Sequence, residues 1–494
     1  MDIKIGLADI LLIAPLILMF IFSCIPITVK VLKGNKEPNA NFVLVTTVIG
    51  LLLTAVAATT FSNSGGQRII FHGALAFDGV STWMNLMVVF LSMASLFLSF
   101  ENMATKGRQF SEFVFLMLNS AIGMMIVASA NDLIVLFIGI EMMSLSLYLL
   151  IALSHETTLS KEAAFKYFVL GSFASAIFLY GIAFIFGIAG TTQVHELALK
   201  ASELANTNRL FMMGLLMVIL GFCFKVSIFP LQAWTPDVYQ GAPTPVTAFM
   251  ATAVKAVTFA AFMRVILAKG LWGEHAESLV DLLQWLAVLT MLVGNIAAIL
   301  QNNFKRMLAY SSIAHSGYAL IGLIAAGVGE TGVQGASGLI FYLFSYSIMT
   351  MGAFAFISLF EKYEGTLVHI DDLKGVATRH PWISLGLTVC LLSLAGIPPT
   401  LGFFGKFYIF SAAINEGLIW LAVWGVINSV ISVYYYLRPI VVCYMMEDSK
   451  TELAGHFYLS RAAVLLSALL LIVAGLFSSP IYQIVQASVA TLFS

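Results

Sequence analysis

Charge is scarce in this chain. Of 494 residues only 10% are Asp, Glu, Lys or Arg, while 60% are hydrophobic and the mean hydropathy is +0.97. A soluble protein of this length needs roughly 25% charged residues to cover its surface, so a water-soluble globule is excluded. Cysteine is scarce as well: Cys24, Cys223, Cys390 and Cys443 are far apart, inside apolar stretches and without CxxC spacing. That pattern supports neither an iron–sulfur cluster nor a zinc site and reads as buried free thiols. No GxGxxG turn follows a strand and no Walker-type loop occurs, so the chain is expected to carry no nucleotide, flavin or redox centre of its own. A net charge of −1 offers no basic footprint for a nucleic acid partner.

Long apolar sequence is what the chain has in abundance. Runs of about 20 residues, the length that crosses a hydrocarbon core as a helix, recur from end to end. They fall near 7–29, 42–62, 78–100, 111–130, 132–152, 161–188, 210–230, 243–268, 278–299, 306–327, 335–360, 381–414, 418–445 and 461–488. The expected fold is an all-α polytopic membrane protein of about 14 transmembrane helices. A β-barrel would instead show alternating segments of about 10 residues. The first run is too long for a signal-peptide core and lacks a small-residue cleavage site, so it reads as a retained transmembrane helix.

Two spans cannot be continuous. The twelfth contains Pro398-Pro399, which removes two backbone donors and breaks the helix. The seventh is interrupted after Lys225 at Pro230. Broken backbone at membrane depth is tolerated only under a cover of protein or water. The breaks lie five spans apart and each has a lysine near it, which points to two five-helix repeats of inverted topology. The expected organisation is 1–105, an N-terminal three-helix segment; 106–270, a first repeat of helices 4–8; 271–447, a second repeat of helices 9–13; and 448–494, a C-terminal helix. With the N-terminus outside, the loops after odd-numbered spans hold 14 of the 24 Lys and Arg residues and the opposite loops hold 6. That excess puts both termini outside. Residues 192–208 read as a short helix on the outer surface.

The remaining four basic residues, with one acid, lie inside spans: Lys166, Lys225, Lys255, Lys406 and Glu141. An ionisable group at a helix centre costs roughly 2.5–3.5 kcal/mol on insertion scales. Repeating that cost in span after span points to use, and the simplest use is to hold and pass a cation, the smallest being the proton. In general, burial favours the neutral amine and a nearby carboxylate favours the ammonium. A Glu141–Lys225 pair of changing separation would therefore take up and release a proton; a fixed ion pair between helices is the plain alternative. Lys255 has no acidic residue at i±3 or i±4, which favours a relay. Lys406 follows the double-proline break, between Gly402, Gly405 and their neighbours, where small residues allow close approach. For Lys255 and Lys406 the plain alternative is snorkelling, for which both are too central. Lys166 lies near a span end, so it either snorkels or tunes Glu141 and Lys225. His315, with Tyr310, Ser311, Ser312 and Ser316 nearby, either extends a proton wire or is a hydrogen-bonded core histidine. Asp132 and Asp237 lie at span ends, where Asp237 would cap or position the break after Pro236. Nothing in the chain supplies energy for uphill transfer, so the drive must come from a partner or a counter-ion gradient.

Three segments resemble a known family. They are Lys225-Val226-Ser227-Ile228-Phe229-Pro230 running on to Trp234-Thr235-Pro236-Asp237-Val238-Tyr239-Gln240-Gly241-Ala242-Pro243; Lys305-Arg306-Met307-Leu308-Ala309-Tyr310-Ser311-Ser312-Ile313-Ala314-His315; and Ala395-Gly396-Ile397-Pro398-Pro399-Thr400-Leu401-Gly402-Phe403-Phe404-Gly405-Lys406. They resemble the subunit N family of bacterial respiratory complex I, and length and span count agree over nearly the whole chain. The resemblance implies a fourteen-helix, antiporter-like proton channel in the membrane arm of NADH:quinone oxidoreductase. It implies Glu141 paired with Lys225, Lys255 as the central relay and Lys406 toward the outward exit; Lys166 and His315 are secondary candidates from the reading of the spans alone. It also implies that NADH, FMN, iron–sulfur clusters and quinone belong to partner subunits. The implied setting is the bacterial inner membrane, with other membrane-arm subunits and the lipid bilayer as neighbours. Relatives can have a histidine where this chain has Gln232, a side chain that hydrogen-bonds but does not titrate. The competing expectations are a subunit of a multi-subunit cation/proton antiporter and a purely structural scaffold.

Overall fold

The computed structural model describes residues 6–61, 66–103, 109–153, 158–267, 276–329, 332–361, 368–447, 453 and 457–493. Among the described residues, twelve helices are long and apolar enough to cross a membrane. Two further crossings are made of half-helices: Arg209–Lys225 with Trp234–Gly241, and Pro381–Ala395 with Leu401–Asn415. Together these are the seventh and twelfth of fourteen spans, as the prolines require.

Chain contacts between loops test the span count independently. The turn at Ala74, Asn131 after the fourth span and Thr192 after the sixth are hydrogen-bonded to one another or to adjoining residues, through Asn131 N–H to Ala74 O and Leu133 N–H to Thr192 O. All three follow an even number of crossings. On the other side, Phe304 N–H donates to Val368 O and Ile370 N–H to Asn302 O, joining loops that follow odd numbers of crossings. A single miscount among the third to sixth spans, or at the tenth or eleventh, would have put one of these partners across the membrane.

Four features depart from the sequence reading. The first span is Ala14–Leu32, preceded by a separate turn of helix, Leu7–Leu12. A short antiparallel hairpin, Arg68–Ile70 with Leu75–Phe77, follows the second span; these strands are too short to show an alternating pattern. The last apolar run divides into Tyr458–Leu476 and Ser478–Ala490, so the fourteenth span ends before the segment that hydropathy alone joined to it. The eighth span, Thr244–Leu267, contains a π-helical stretch, Met250–Val254, directly before Lys255. Residues 192–208 do contain the expected helix, Val194–Thr207, with Leu197, Ala201 and Ala205 buried.

The breaks are closed in the same way. At the seventh span Ser227 is left-handed (φ 63°) and Ile228 N–H reaches Cys223 O at 2.8 Å. At the twelfth, Gly396 is left-handed (φ 85°) and Ile397 N–H reaches Leu392 O at 3.0 Å. Both are helix stops that satisfy terminal carbonyls by a 6→1 bond. Trp234 Nε1–H covers one more carbonyl, Phe224 O, at 3.1 Å.

The fourteenth span lies over the second break. A Cβ added at Gly475 would fall 2.3 Å from Pro399 O and 2.9 Å from Leu401 N, backbone atoms that cannot rotate away. Gly475→Ala is expected to destabilise the protein by about 1–3 kcal/mol, the usual range for overpacking. Thermal unfolding of the purified protein checks this; an unchanged midpoint would show that the two elements separate freely.

Candidate functional site

Lys225, Lys255 and Lys406 are 3%, 2% and 4% exposed. Lys225 donates to a hydroxyl, and Lys255 and Lys406 to hydroxyls and carbonyls; among the described residues none of the three is in ion-pair contact with a carboxylate. Lys225 is the last residue of the half-helix Arg209–Lys225, where the helix dipole favours a cation, and its Nζ donates to Ser144 Oγ at 2.7 Å. Lys406 Nζ donates to Ala395 O at 3.0 Å, the carbonyl of the last residue of the other half-helix. It also donates to Ser429 Oγ at 2.9 Å and lies 4.8 Å from the Tyr318 ring centroid. Lys225 thus ends one interrupted helix, and the Lys406 amine meets the carbonyl end of the other.

Lys255 joins the halves. From the eighth span its Nζ donates to Ser312 O at 2.7 Å, Ser312 Oγ at 2.6 Å and Ser316 Oγ at 2.9 Å, all on the tenth span Phe304–Val328. Hydroxyls both donate and accept, so this cradle can hold either an ammonium or an amine. The π-helical turn preceding Lys255 is a rare local form that concentrates at functional sites; no proline or glycine within Met250–Val254 signals it in the sequence.

His315 lies on the same tenth span. Its Nδ1 is 2.6 Å from Tyr342 Oη and its Nε2 2.9 Å from Tyr436 Oη. Tyr436 continues to Ser311, and Tyr346 Oη donates to Ser312 Oγ at 2.7 Å. The expected serines are thus divided: Ser312 and Ser316 serve Lys255, and Ser311 serves the tyrosines. Tyr310 instead places its ring 5.9 Å from the Arg306 guanidinium. The three tyrosines come from the eleventh and thirteenth spans and were missed in the sequence. Polar residues recurring in otherwise apolar spans are the signal that could have found them.

Glu141 and Lys225 are not joined in an ion pair. Glu141, partly buried on the fifth span, accepts from Ser175 Oγ of the sixth. Ser144, one turn along from Glu141, takes the lysine. The geometry is that of two partners held apart by serines rather than locked together.

Lys166 belongs elsewhere. It is 38% exposed and pairs with Glu162 at 2.6 Å and Asp237 at 2.8 Å, away from Glu141. Asp237 also binds Arg306 at 2.7 Å, so it bridges two spans instead of capping the break. Asp132 caps the fifth span through Ile134 N–H at 2.8 Å. Gln232 presents a buried Oε1 without a protein partner. Two basic residues assigned to loops by hydropathy are buried in ion pairs: Arg264 with Asp78 and Lys305 with Glu361. Of the others in that count, Lys4, Lys106, Arg108, Lys269, Lys362 and Lys450 lie outside the described residues.

Each break also borders an apolar cavity. One of about 310 Å³ is lined by Phe173, Leu220, Phe224, Pro230 and Trp234. One of about 440 Å³ is lined by Phe403, Phe407, Phe410, Val426 and Val430, with Lys406 and Ser429. Among the described residues no three His, Cys, Asp or Glu side chains gather as a metal site.

Comparison with known proteins agrees with this architecture. The family profile described as NADH:quinone oxidoreductase/Mrp antiporter, TM, matches residues 130–432, which include Glu141, Lys225, Lys255, His315 and Lys406. The chain is 57% identical to NADH-quinone oxidoreductase subunit N of Bdellovibrio bacteriovorus, over 99% of this chain and 100% of that one. A chain of respiratory complex I from Thermus thermophilus, solved with bound aureothin, superposes with a TM-score of 0.80 at 32% identity, covering 96% of this chain and 100% of that one. A chain of the Mrp complex from a Dietzia species gives a TM-score of 0.83 at 20% identity, covering 96% and 97%, a likeness of fold alone. With broken spans, buried amines and full-length identity in agreement, the chain belongs to the NADH-quinone oxidoreductase subunit N family.

Proposed function

We infer that this chain is a proton-translocating membrane subunit of an NADH:quinone oxidoreductase, passing protons through Glu141, Lys225, Lys255 and Lys406 while partner subunits carry out the redox chemistry. One observation carries the reading: three amines at membrane depth are bonded to groups that accept either protonation state, and none is locked to a carboxylate. A scaffold has no use for that arrangement. Lys225 exchanges protons under the influence of Glu141, Lys255 transfers between the halves, and Lys406 delivers beside the second break. His315 and its tyrosines lie along the tenth span between Lys255 and Lys406 as a secondary path; Lys166 holds the half-helix Trp234–Gly241 through Asp237.

Moving one proton against the membrane potential costs about 2.3 kcal/mol per 100 mV. That work comes from electron transfer from NADH to quinone, with NADH, FMN, iron–sulfur clusters and quinone held by other subunits. The matching closure of the two breaks supports two inverted repeats, 106–270 and 271–447, after a three-helix segment, 1–105, and before the C-terminal 448–494. The neighbours are other membrane-arm subunits and lipid of the bacterial inner membrane. Omitting the buried Lys305 and Arg264 leaves 13 basic residues against 5, which still favours both termini on the periplasmic side.

A cation/proton antiporter subunit shares the fold, and purification separates the two readings. The chain, tagged and extracted in mild detergent, is expected to co-migrate with a flavin- and iron-containing NADH oxidase. Migration without that activity, together with sodium resistance that depends on the chain, would favour the antiporter. Within the assembly, Lys225→Ala is expected to lower proton pumping severalfold. Full pumping by a normally assembled variant would exclude Lys225 from the path.

A further inference from the structure

Apart from the groups already assigned, Lys305 and Glu361 form a charged pair of comparable depth. They are 2.9 Å apart, with side chains 3% and 5% exposed. Lys305 Nζ also donates to Ala242 O at 2.8 Å. Ala242 ends the distal half-helix of the seventh span, and Pro243-Thr244-Pro245 then starts the span that carries Lys255. The adjoining Arg306 takes hold of the same half-helix, through Asp237 at 2.7 Å and Gln240 at 2.9 Å.

That half-helix, Trp234–Gly241, is eight residues long and joined to its neighbours by turns at both ends. Prolines 243 and 245 bring no N–H, so the carbonyls at its end need donors from elsewhere. Ser160 Oγ donates to Gly241 O at 2.7 Å, Thr247 Oγ1 donates to Tyr239 O at 3.1 Å and to Ala242 O at 3.4 Å, and Lys305 gives Ala242 O its shorter bond, 2.8 Å. An ammonium buried here without a counter-charge would be strongly unfavourable; Glu361 provides that charge. The position of the joint therefore depends in part on Lys305 and Arg306, which reach across from the second half of the molecule.

The same helix controls Lys255. Ser312 lies two turns beyond Lys305, about 10 Å along the axis and on nearly the same face. One stripe of the tenth span thus holds the joint at one end and the Lys255 amine at the other. A shift of the joint along that stripe is also a shift of Lys255 against Ser312 and Ser316.

We propose that Lys305, with Glu361 as its counter-charge, and Arg306 are positioning residues that fix the joint between the seventh and eighth spans and so set the proton path from Lys225 to Lys255. This rests on the proton-transfer reading above. Misplacement by about 1 Å costs up to roughly 10²-fold in rate, so the expected effect is a large loss of coupled turnover without loss of the assembly.

The test uses the whole purified complex in vesicles, with pumping measured per assembled complex. The double variant Lys305→Met/Glu361→Met leaves no lone charge buried. Arg306→Gln alters a residue that is only partly buried, and it reads out the proposal even if the double variant fails to assemble. Lys255→Ala is the reference. Both test variants are expected to pump about tenfold or more slowly, with a larger solvent deuterium isotope effect on quinone-linked turnover because proton transfer has become limiting. A role confined to stability would reduce the amount of complex but leave its rate and isotope effect as in the wild type, and that result overturns the proposal. If Lys255→Ala also pumps normally, the proton-transfer reading itself is refuted; if Lys255→Ala fails while Arg306→Gln and the assembled double variant match wild type, only the positioning role is refuted.

Discussion

Lys255→Ala is expected to abolish proton pumping by the assembled complex, with loss on the order of 10²-fold or more, the scale of a missing acid–base group. Its amine is the contact between the eighth span and the Ser312–Ser316 turn of the tenth, where the halves meet. Truncation removes all three bonds but does not strand the serines: Ser316 Oγ still donates to Ser312 O at 3.1 Å and Tyr346 still donates to Ser312 Oγ. Assembly should therefore survive while transfer fails. Lys255→Arg separates charge from titration. Arginine preserves the charge and the donors but does not release its proton in proteins, so it is expected to fail as the alanine variant does. Proton uptake by vesicles driven by NADH measures both. Normal pumping by the arginine variant would mean that Lys255 supplies a fixed charge and passes no proton.

The second large effect is expected at Lys406. Lys406→Ala should lower pumping on the order of 10²-fold with little effect on assembly, because Ser429 Oγ already donates to Ala395 O at 3.3 Å and keeps that carbonyl paired. Ser429→Ala removes one of the two acceptors of the amine and is expected to cost only a few-fold. The ordering matters: a hydrogen-bonding partner adjusts the amine, whereas the amine carries the proton. Equal losses in the two variants would instead assign Lys406 to holding the break together. Gly396 beside it leaves no room for compensation, since an added Cβ would lie 3.0 Å from Lys406 Cδ and 3.3 Å from its Nζ.

Much of the site was legible because the cost of burying charge in a membrane is large and local. Lys225, Lys255 and Lys406 stand out in apolar runs whatever their neighbours are, and Pro230, Pro398 and Pro399 break helices in any context. The sequence leaves Lys166 between two readings, and its partners, Glu162 and Asp237, hold it at the edge, as the snorkelling alternative expects. Lys305 and Arg264 did mislead. Each is near a span end in sequence, yet a carboxylate distant in the chain, Glu361 or Asp78, allows it to be buried. Hydropathy scores a residue with its sequence neighbours and cannot register a partner 56 or 186 positions away.

The sequence by itself determined the membrane setting, the fourteen crossings, the two breaks and the deep amines, since length, hydropathy and proline chemistry act through covalent neighbours. Tertiary structure decided what each amine touches: Ser144 rather than Glu141 at Lys225, Ser312 and Ser316 at Lys255, and the end of a half-helix with Ser429 at Lys406. It also decided the π-helical turn before Lys255 and the tyrosines around His315. Those are matters of which faces meet, and helix faces meet according to packing between spans far apart in the chain, which no local pattern encodes.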